Sequence, residues 1–379
     1  MHVVYLIDSL IAGGAERSLA ALAPRYIAAG VELDVAYFYE RDNVWLPALR
    51  DAGARTTSLA GRGGRAGLLW RTRRLIRERR PDVLHTTLFD ADVIGRVAAV
   101  GTKTTVVTSL VNAAYGAEQR ANPAIKTARL RAAQLLDRVT AVRVNRFHAV
   151  SESVADVMSE RLHVARERID VIPRGRDIDE LGTRTETRRV ETRRALDVDD
   201  DETLFLAIGR HEYQKGFDVL VQAFAAMRDE LPRSRLLIVG REGSETPRLT
   251  QSIAGAGLED AISLTGFRSD VPDLLCAADV FVSASRWEGA PGGVLEAMAL
   301  ETPIVATDIA PVREVLGEQR PAFLVAPEDA QGLARSMVEA VSGDGAEART
   351  RTARARFLDR FTIDRTAAEM LSFYERASR

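Results

Sequence analysis

Short apolar runs alternate with segments of helical spacing from one end of the chain to the other, and this limits the folds available more than any other feature. Runs at 3–7, 33–39, 56–59, 82–85, 104–109, 147–150 and 170–173 fill the first half. Runs at 203–208, 235–239, 261–264, 279–283, 303–306 and 323–325 fill the second. Between them lie helical stretches at 15–29, which stops at Gly30, and at 68–80, which stops at Pro81; Ser151 has the character of an N-cap for a helix through 162. Further helices are expected at 218–231, 293–300 and 330–341. A helix between successive strands is the crossover a parallel pair needs, and repeated crossovers cover a parallel sheet on both faces. The stretch 174–201 breaks the series: it is polar and charge-dense, and reads as a linker with a surface helix. The expected class is therefore α/β, with two doubly wound, Rossmann-like domains at 1–175 and 176–360. A final helix at 364–377 has no strand after it, and segment 361–379 is expected to pack back on the first domain.

Composition supports two cores: 46% of the residues are hydrophobic and 28% charged, which excludes a disordered chain. Cys276 is the only cysteine, so no disulfide framework exists, and no Cys/His cluster has zinc spacing; no bound metal and no cofactor are expected. The opening MHVVYLID lacks the basic start and cleavage site of a signal peptide and reads as a strand. No run of about 18 uninterrupted apolar residues is present to span a membrane, and a cytoplasmic location is expected. Residues 1–180 carry 27 Lys and Arg against 21 Asp and Glu, net +6; residues 181–379 carry 25 against 33, net −8. A basic half can mark the side that meets an anionic partner. No nucleic acid is expected among the partners. Only Lys103, Lys126 and Lys215 are lysines among 52 cations, so each stands out against an arginine background.

Ligands of open α/β sheets bind beyond the carboxyl ends of the strands, so the loops there are where chemistry is sought. The first such loop carries Gly13 and Gly14 ahead of a helix, where bare backbone can approach an anion; a flexible capping turn is an equal reading. The loop 209–216, GRHEYQKG, opens the second half. Its Arg210 offers a planar fork for phosphate oxygens and its Lys215 a compact charge, and both stand near a helix start. The loop 285–299, SRWEGAPGGVLEAMA, places Glu288 after a strand, Gly292 and Gly293 at a helix start, and Glu296 about one turn into that helix. Two carboxylates around a glycine loop can hold sugar hydroxyls while free N–H groups meet a phosphate.

Glu288 and Glu296, with seven residues between them in EGAPGGVLEAMA, join GGAER near the start and GR-x4-KG at 210–216 in a pattern that closely resembles the retaining glycosyltransferases of family four, which have the GT-B fold. PDVLHTTLFDADVIGRVAA at 81–99, HAVSES at 148–153, LLIVGREG at 236–243 and LTGFRSDVPDLLCAADVFV at 264–282 match in the expected order. The resemblance implies two domains facing across a cleft, an acceptor-side first domain and a donor-binding second one. It implies that Arg210 and Lys215 clamp the donor diphosphate, that Glu288 sits near the transferred sugar, and that Glu296 holds the donor ribose. Gly13 and Gly14 would approach the donor or acceptor, Gly292 and Gly293 the donor, and Gly266, Phe267 and Arg268 the nucleobase. The donor would be a UDP- or GDP-sugar and the acceptor a glycan or lipid-linked glycan, with no metal, because the two cations carry the charge stabilisation.

The chain departs from that pattern in places. Relatives often have a histidine in the loop after the fifth strand; here 108–115 has none, and Asn112 is the expected substitute. A second histidine two places after His85 is replaced by Thr87, and the usual Asn-Gly of the interdomain turn by Arg174-Gly175-Arg176. Arg174 and Arg176 are expected to meet an anionic acceptor or to pair with Asp177 and Asp179. His85 reads as a buried, satisfied core residue, while His148 stays open between that role and a sugar contact.

Eight arginines fall within 62–80, and Ala124–144 interleaves Lys126, Arg129, Arg131, Arg138 and Arg143 with Ile125, Leu130, Leu135, Leu136 and Val139. Such segments are either solvated helix faces or faces that lie on anionic lipid. Two rival functions stand beside sugar transfer: a GT-B sugar-nucleotide 2-epimerase, and a degenerate subunit that only binds. The paired Glu288 and Glu296 fit the transferase better than the first, and the intact Arg210, Lys215, Glu288 and Glu296 argue against the second.

Overall fold

The computed structural model describes residues 1–122, 125–342 and 345–379. The chain divides into two compact units, Met1–Gly175 with Ile363–Arg379, and Arg176–Thr362.

In the first unit seven strands form one sheet: β1 (His2–Ser9), β2 (Glu32–Tyr39), β3 (Arg55–Ser58), β4 (Val83–Thr87), β5 (Thr105–Leu110), β6 (Arg146–Ala149) and β7 (Ile169–Val171). Their order is β3-β2-β1-β4-β5-β6-β7, parallel at every pairing. Along β1, Val3, Tyr5 and Ile7 enter a core shared with the helix Gly14–Ala28 and the last helix, Ile363–Ala377. Val4 and Leu6 are equally buried on the opposite face, which accounts for an apolar run with no alternation.

The last helix is tied to the first unit at several points. Phe373 and Tyr374 are fully buried, Thr366 Oγ1 donates to Pro173 O at 3.0 Å, and Arg25 pairs with Asp364 at 3.0 Å. Ser151 accepts from Val154 N at 3.3 Å, so it is the N-cap of the helix Glu152–Leu162.

The second unit contains β8 (Thr203–Ile208), β9 (Ser234–Val239), β10 (Ile262–Thr265), β11 (Val280–Ser283), β12 (Ile304–Thr307) and β13 (Phe323–Val325), ordered β10-β9-β8-β11-β12-β13 and parallel throughout. Leu204 and Leu206 belong to one core and Phe205 and Ala207 to another, so successive residues of β8 serve the two faces. Both sheets reverse their order beside the first strand, between β1 and β4 and between β8 and β11. That reversal opens a crevice at the carboxyl ends of those strands.

The polar stretch 174–201 contains the helix Glu186–Ala195, capped by Thr185, which accepts from Arg188 N at 3.2 Å. Expected as a surface helix, it lies at the surface, with Arg193 its one buried residue, and is docked there by its arginines. Arg189 and Arg193 donate to Ala277 O and to opposite oxygens of Asp279, and Arg193 is 3% exposed. Long side chains that bury their stems and deliver their charge to carbonyls give a helix with no apolar stripe a packed face.

Candidate nucleotide-sugar site

The loops after β8 and β11 come from the two strands that flank the reversal of the second sheet. From the first, Lys215 Nζ donates to Glu288 Oε1 at 2.5 Å. From the second, Ser285 Oγ donates to the same oxygen at 2.7 Å, and Glu288 is 8% exposed. Thr307 Oγ1 donates to Ser285 O at 2.6 Å and fixes the start of that loop. Gly216, at φ +61°, follows Lys215; a Cβ there would lie 2.1 Å from Ala284 O, so the two loops can only approach this closely over glycine. Arg210, from the same loop as Lys215, is exposed and forms no ion pair among the described residues.

Glu296, in the helix Gly292–Ala299, is buried and accepts from Arg176 Nε at 2.7 Å. Arg176, expected to meet an anionic acceptor or to pair with Asp177 and Asp179, is buried and paired with Glu296, while Asp177 caps the short helix Ile178–Leu181 by accepting from Asp179 N and Glu180 N. Arg176 Nη2 lies 2.2 Å from where a Gly292 Cβ would be, and the Phe281 ring 2.7 Å from one at Gly293. Both glycines of the motif therefore admit protein groups as well as baring N–H groups at a helix start. The pattern of the sequence places Glu296 but gives no sign that a residue 120 positions earlier pairs with it.

Gly266 is exposed with open space about it, Phe267 is 49% exposed, and Arg268 is held by Asp270, with its Nε 2.8 Å from Oδ1. Among the described residues, no hydrogen bond or ion pair joins this loop to Lys215 or Glu288. Among the described residues, no group of three or more His, Cys, Asp and Glu side chains is arranged as metal ligands would be.

In the first unit, Gly13 N-caps the helix Gly14–Ala28 with no side-chain bond, and Glu16 Oε2 lies 2.2 Å from where its Cβ would be. Arg174 Nη1 lies 2.9 Å from the Cβ position of Gly14. The loop and Arg174 are thus brought together. Asn112 Oδ1 is buried with no hydrogen-bond partner among the described residues.

His148 is different: Ser109 Oγ lies 2.7 Å from Nδ1 and Ile172 O 2.9 Å from Nε2, so neither ring nitrogen is left for a sugar. His85 is likewise engaged at both nitrogens, by Tyr374 and Ser109, each at 2.7 Å. The carbonyl of Ile172 can only accept, which fixes one order along the chain. His148 Nε2–H donates to Ile172, Ser109 to His148, His85 Nε2–H to Ser109, and Tyr374 to His85. Burial lowers both histidines, His148 to about 4, and keeps the chain neutral.

Comparison with known proteins places the chain in a family. The family described as Glycosyltransferase Family 4 matches residues 12–180, and the one described as Glycosyl transferases group 1 matches 202–342. The chain is 31% identical over 232 residues to the 2-deoxystreptamine glucosyltransferase of Streptomyces kanamyceticus, covering 60% of this chain and 59% of that one. It is 29% identical over 202 residues to the lipopolysaccharide core biosynthesis mannosyltransferase LpsB of Rhizobium meliloti, covering 49% and 55%. The matched stretches thus span somewhat over half the length of these relatives. The crystal structure of Anabaena HepE in complex with UDP and glucose superposes with a TM-score of 0.85 at 22% identity, covering 99% of this chain and 100% of that one. With two Rossmann-like units, a likeness of fold over its whole length and both family signatures in order, the chain belongs to the group 1, family 4 glycosyltransferases.

Proposed function

We propose that the protein is a retaining, metal-independent glycosyltransferase that moves a sugar from a UDP- or GDP-sugar to a glycan or lipid-linked glycan, in cell-envelope or exopolysaccharide synthesis. The observation that carries this reading is the Lys215–Glu288 contact of 2.5 Å at the carboxyl ends of β8 and β11. Lys215 and Arg210 supply positive charge where a diphosphate leaves, and fixed charge in a partly dry site stabilises that leaving group without reorganisation. Glu288 holds the lysine and offers its other oxygen to a sugar hydroxyl. The bond from the anomeric carbon to the phosphate oxygen breaks, and the bond to the acceptor oxygen forms on the same face. The acceptor proton passes to the leaving phosphate, so no carboxylate nucleophile is required. HepE was crystallised with UDP and glucose, which favours a uridine donor. Relatives named for glucosyl and mannosyl transfer leave the sugar open.

A thermal-shift screen with UDP, GDP, ADP and their sugar conjugates, on wild type and Lys215→Ala, tests the donor site. The expected result is a rise in Tm for one nucleotide series that weakens in the variant; no rise with any nucleotide sinks the reading. Proton NMR of the products separates the rivals. Retained anomeric configuration on an acceptor supports transfer, whereas a C2-inverted sugar nucleotide formed without acceptor supports epimerisation.

A surface of the first unit supports lipid contact. The helix Thr127–Ala141 turns Asp137 and Thr140 inward to Arg96 and exposes Leu135, Val139 and the following Val142 by 61, 59 and 70%. Arg131, Arg138 and Arg143 are exposed beside them, and Trp70 on the helix Gly64–Arg79 is 61% exposed. An apolar strip flanked by cations suits an anionic bilayer. The first residue of the 124–144 segment lies outside the described residues. The 62–80 stretch is partly structural, because Arg71 donates to Leu59 O and Arg73 to Ala98 O and Val100 O. No described helix is long and apolar enough to cross a membrane.

A further inference from the structure

A guanidinium carries five N–H donors in a rigid fork. All five of Arg286 are used. Nε donates to Glu328 Oε1 at 2.5 Å; Nη1 donates to Tyr213 O at 2.6 Å and Asp218 Oδ1 at 2.9 Å; Nη2 donates to Asp218 Oδ2 at 2.9 Å and Glu328 Oε2 at 3.1 Å. The guanidinium also lies over the Tyr213 ring, 4.0 Å from its centroid, and the side chain is 7% exposed. Burial works against the charge, but the bonds to Asp218 and Glu328 outweigh it and hold the group above its ordinary pKa. With no donor left and almost no exposure, Arg286 has nothing to offer a ligand directly.

Its partners come from three places at the carboxyl edge of the second sheet: the loop after β8, the first turn of the helix Phe217–Met227, and the loop after β13. Glu328 sits at φ +66°, a conformation that costs a non-glycine residue about 1 kcal/mol or more. Its side chain is one of those that hold the arginine. The main chain adds to the tie. Arg286 N donates to Gln214 O at 2.8 Å, and Gln214 Nε2 donates to Trp287 O at 2.8 Å. Residues 213–214 are thereby cross-linked to 286–287, and the next residues on the two strands of this clamp are Lys215 and Glu288.

We propose that Arg286 is a positioning residue: it fixes the two loops in register so that Lys215 meets Glu288 in the geometry that sugar transfer needs. The proposal rests on the donor-site reading above. Lysine cannot replace the arginine, because a single ammonium cannot span Tyr213, Asp218 and Glu328.

The test compares the full-length wild type with Arg286→Lys and Arg286→Met by two readouts. The first is steady-state transfer, where kcat is expected to fall about 10²-fold while KM for the donor changes little, as for a catalytic pair moved by about an ångström. The second needs no activity. Acetylation by an amine reagent is followed by peptide mass at the chain's three lysines. In the wild type Lys215 is shielded by Glu288; in both variants it is expected to react severalfold faster, with Lys103 and Lys126 unchanged. A merely structural role would lower Tm and leave Lys215 shielded, and an unchanged Lys215 rate in folded variants overturns the proposal. Where Arg286→Met does not fold, Asp218→Asn removes the carboxylate charge and replaces one of its two acceptor oxygens by an amide nitrogen that cannot accept from Arg286, and a smaller rise at Lys215 is expected. Wild type that neither binds nucleotide nor transfers sugar would overturn the donor-site reading alone, since the acetylation rates still report on the clamp.

Discussion

Arg176 Nε donates to Glu296 Oε1 across 2.7 Å with both side chains buried, and the same arginine holds the end of its unit by a second bond, from its N–H to Phe361 O at 2.8 Å. Arg176 also bridges to Thr362, so the first and last residues of the 176–362 unit lie side by side. One residue thus closes the unit and pairs with the second motif carboxylate.

Removing the guanidinium breaks a buried ion pair at Glu296. Arg176→Ala is expected to destabilise this unit by about 3 kcal/mol or more, the usual cost of breaking a buried pair by one partner. Urea unfolding measures it. A change under about 0.5 kcal/mol, the range of an ordinary surface substitution, would mean that the pair does not form in solution.

The strands were legible because a parallel sheet buried on both faces writes itself as unbroken apolar runs, as Phe205 and Leu206 illustrate by serving opposite cores. The motif residues were legible because loops after strands are where glycines, cations and carboxylates have no packing reason to gather. The Ser151 cap was legible because capping is local. What escaped the sequence is long-range pairing between charges. Nothing near Arg176 points to Glu296, and nothing near Arg286 points to Glu328, because an ion pair leaves no periodic trace in either segment. The docking of the surface helix Glu186–Ala195 escaped for the same reason. Its contacts are made by arginine tips, which composition reads as solvent-facing.

The first unit carries titrating groups that act in opposite directions. Burial raises Asp8 to about 7 and Asp92 to about 8. The folded protein then keeps protons that the unfolded chain releases above about pH 4, so their stabilisation is present in acid and lost as pH rises through 7 and 8. Burial lowers His148 to about 4 and His85 well below its usual value. Their contribution is present above about pH 6.5 and lost as pH falls toward 4. The two trends oppose each other between about pH 4 and 6.5, and above that only the carboxylates act. Stability is expected to fall between about pH 6.5 and 8, and Asp92→Asn to remove about 2 kcal/mol of that fall, at 1.36 kcal/mol per unit. Denaturation curves at several pH values check this; equal slopes in wild type and variant would show that Asp92 is ionised in the folded protein.

Lipid contact predicts sedimentation with vesicles of anionic phosphatidylglycerol, weakened by salt, and little sedimentation with neutral phosphatidylcholine. The triple change Leu135→Ser, Val139→Ser, Val142→Ser should abolish it without loss of stability, because these side chains are exposed. Equal binding to both vesicle types shows that anionic lipid is not what the surface recognises, and binding to neither removes the lipid surface from the set of partners.

Gly216 and Gly257 offer a matched pair of substitutions. Both have positive φ, +61° and +67°, so alanine meets the same backbone strain of about 1 kcal/mol at either. At Gly257 the new methyl would enter open space, whereas at Gly216 it would lie 2.1 Å from Ala284 O and force the loops apart. Gly257→Ala should therefore cost only the strain. Gly216→Ala should cost about 1–3 kcal/mol more, as overpacking does, and should weaken nucleotide binding because Lys215 moves with the loop. Unfolding curves and UDP titrations of the two variants measure the difference. If the two alanines cost the same and bind alike, the close approach of Gly216 to Ala284 is not what places Lys215 beside Glu288.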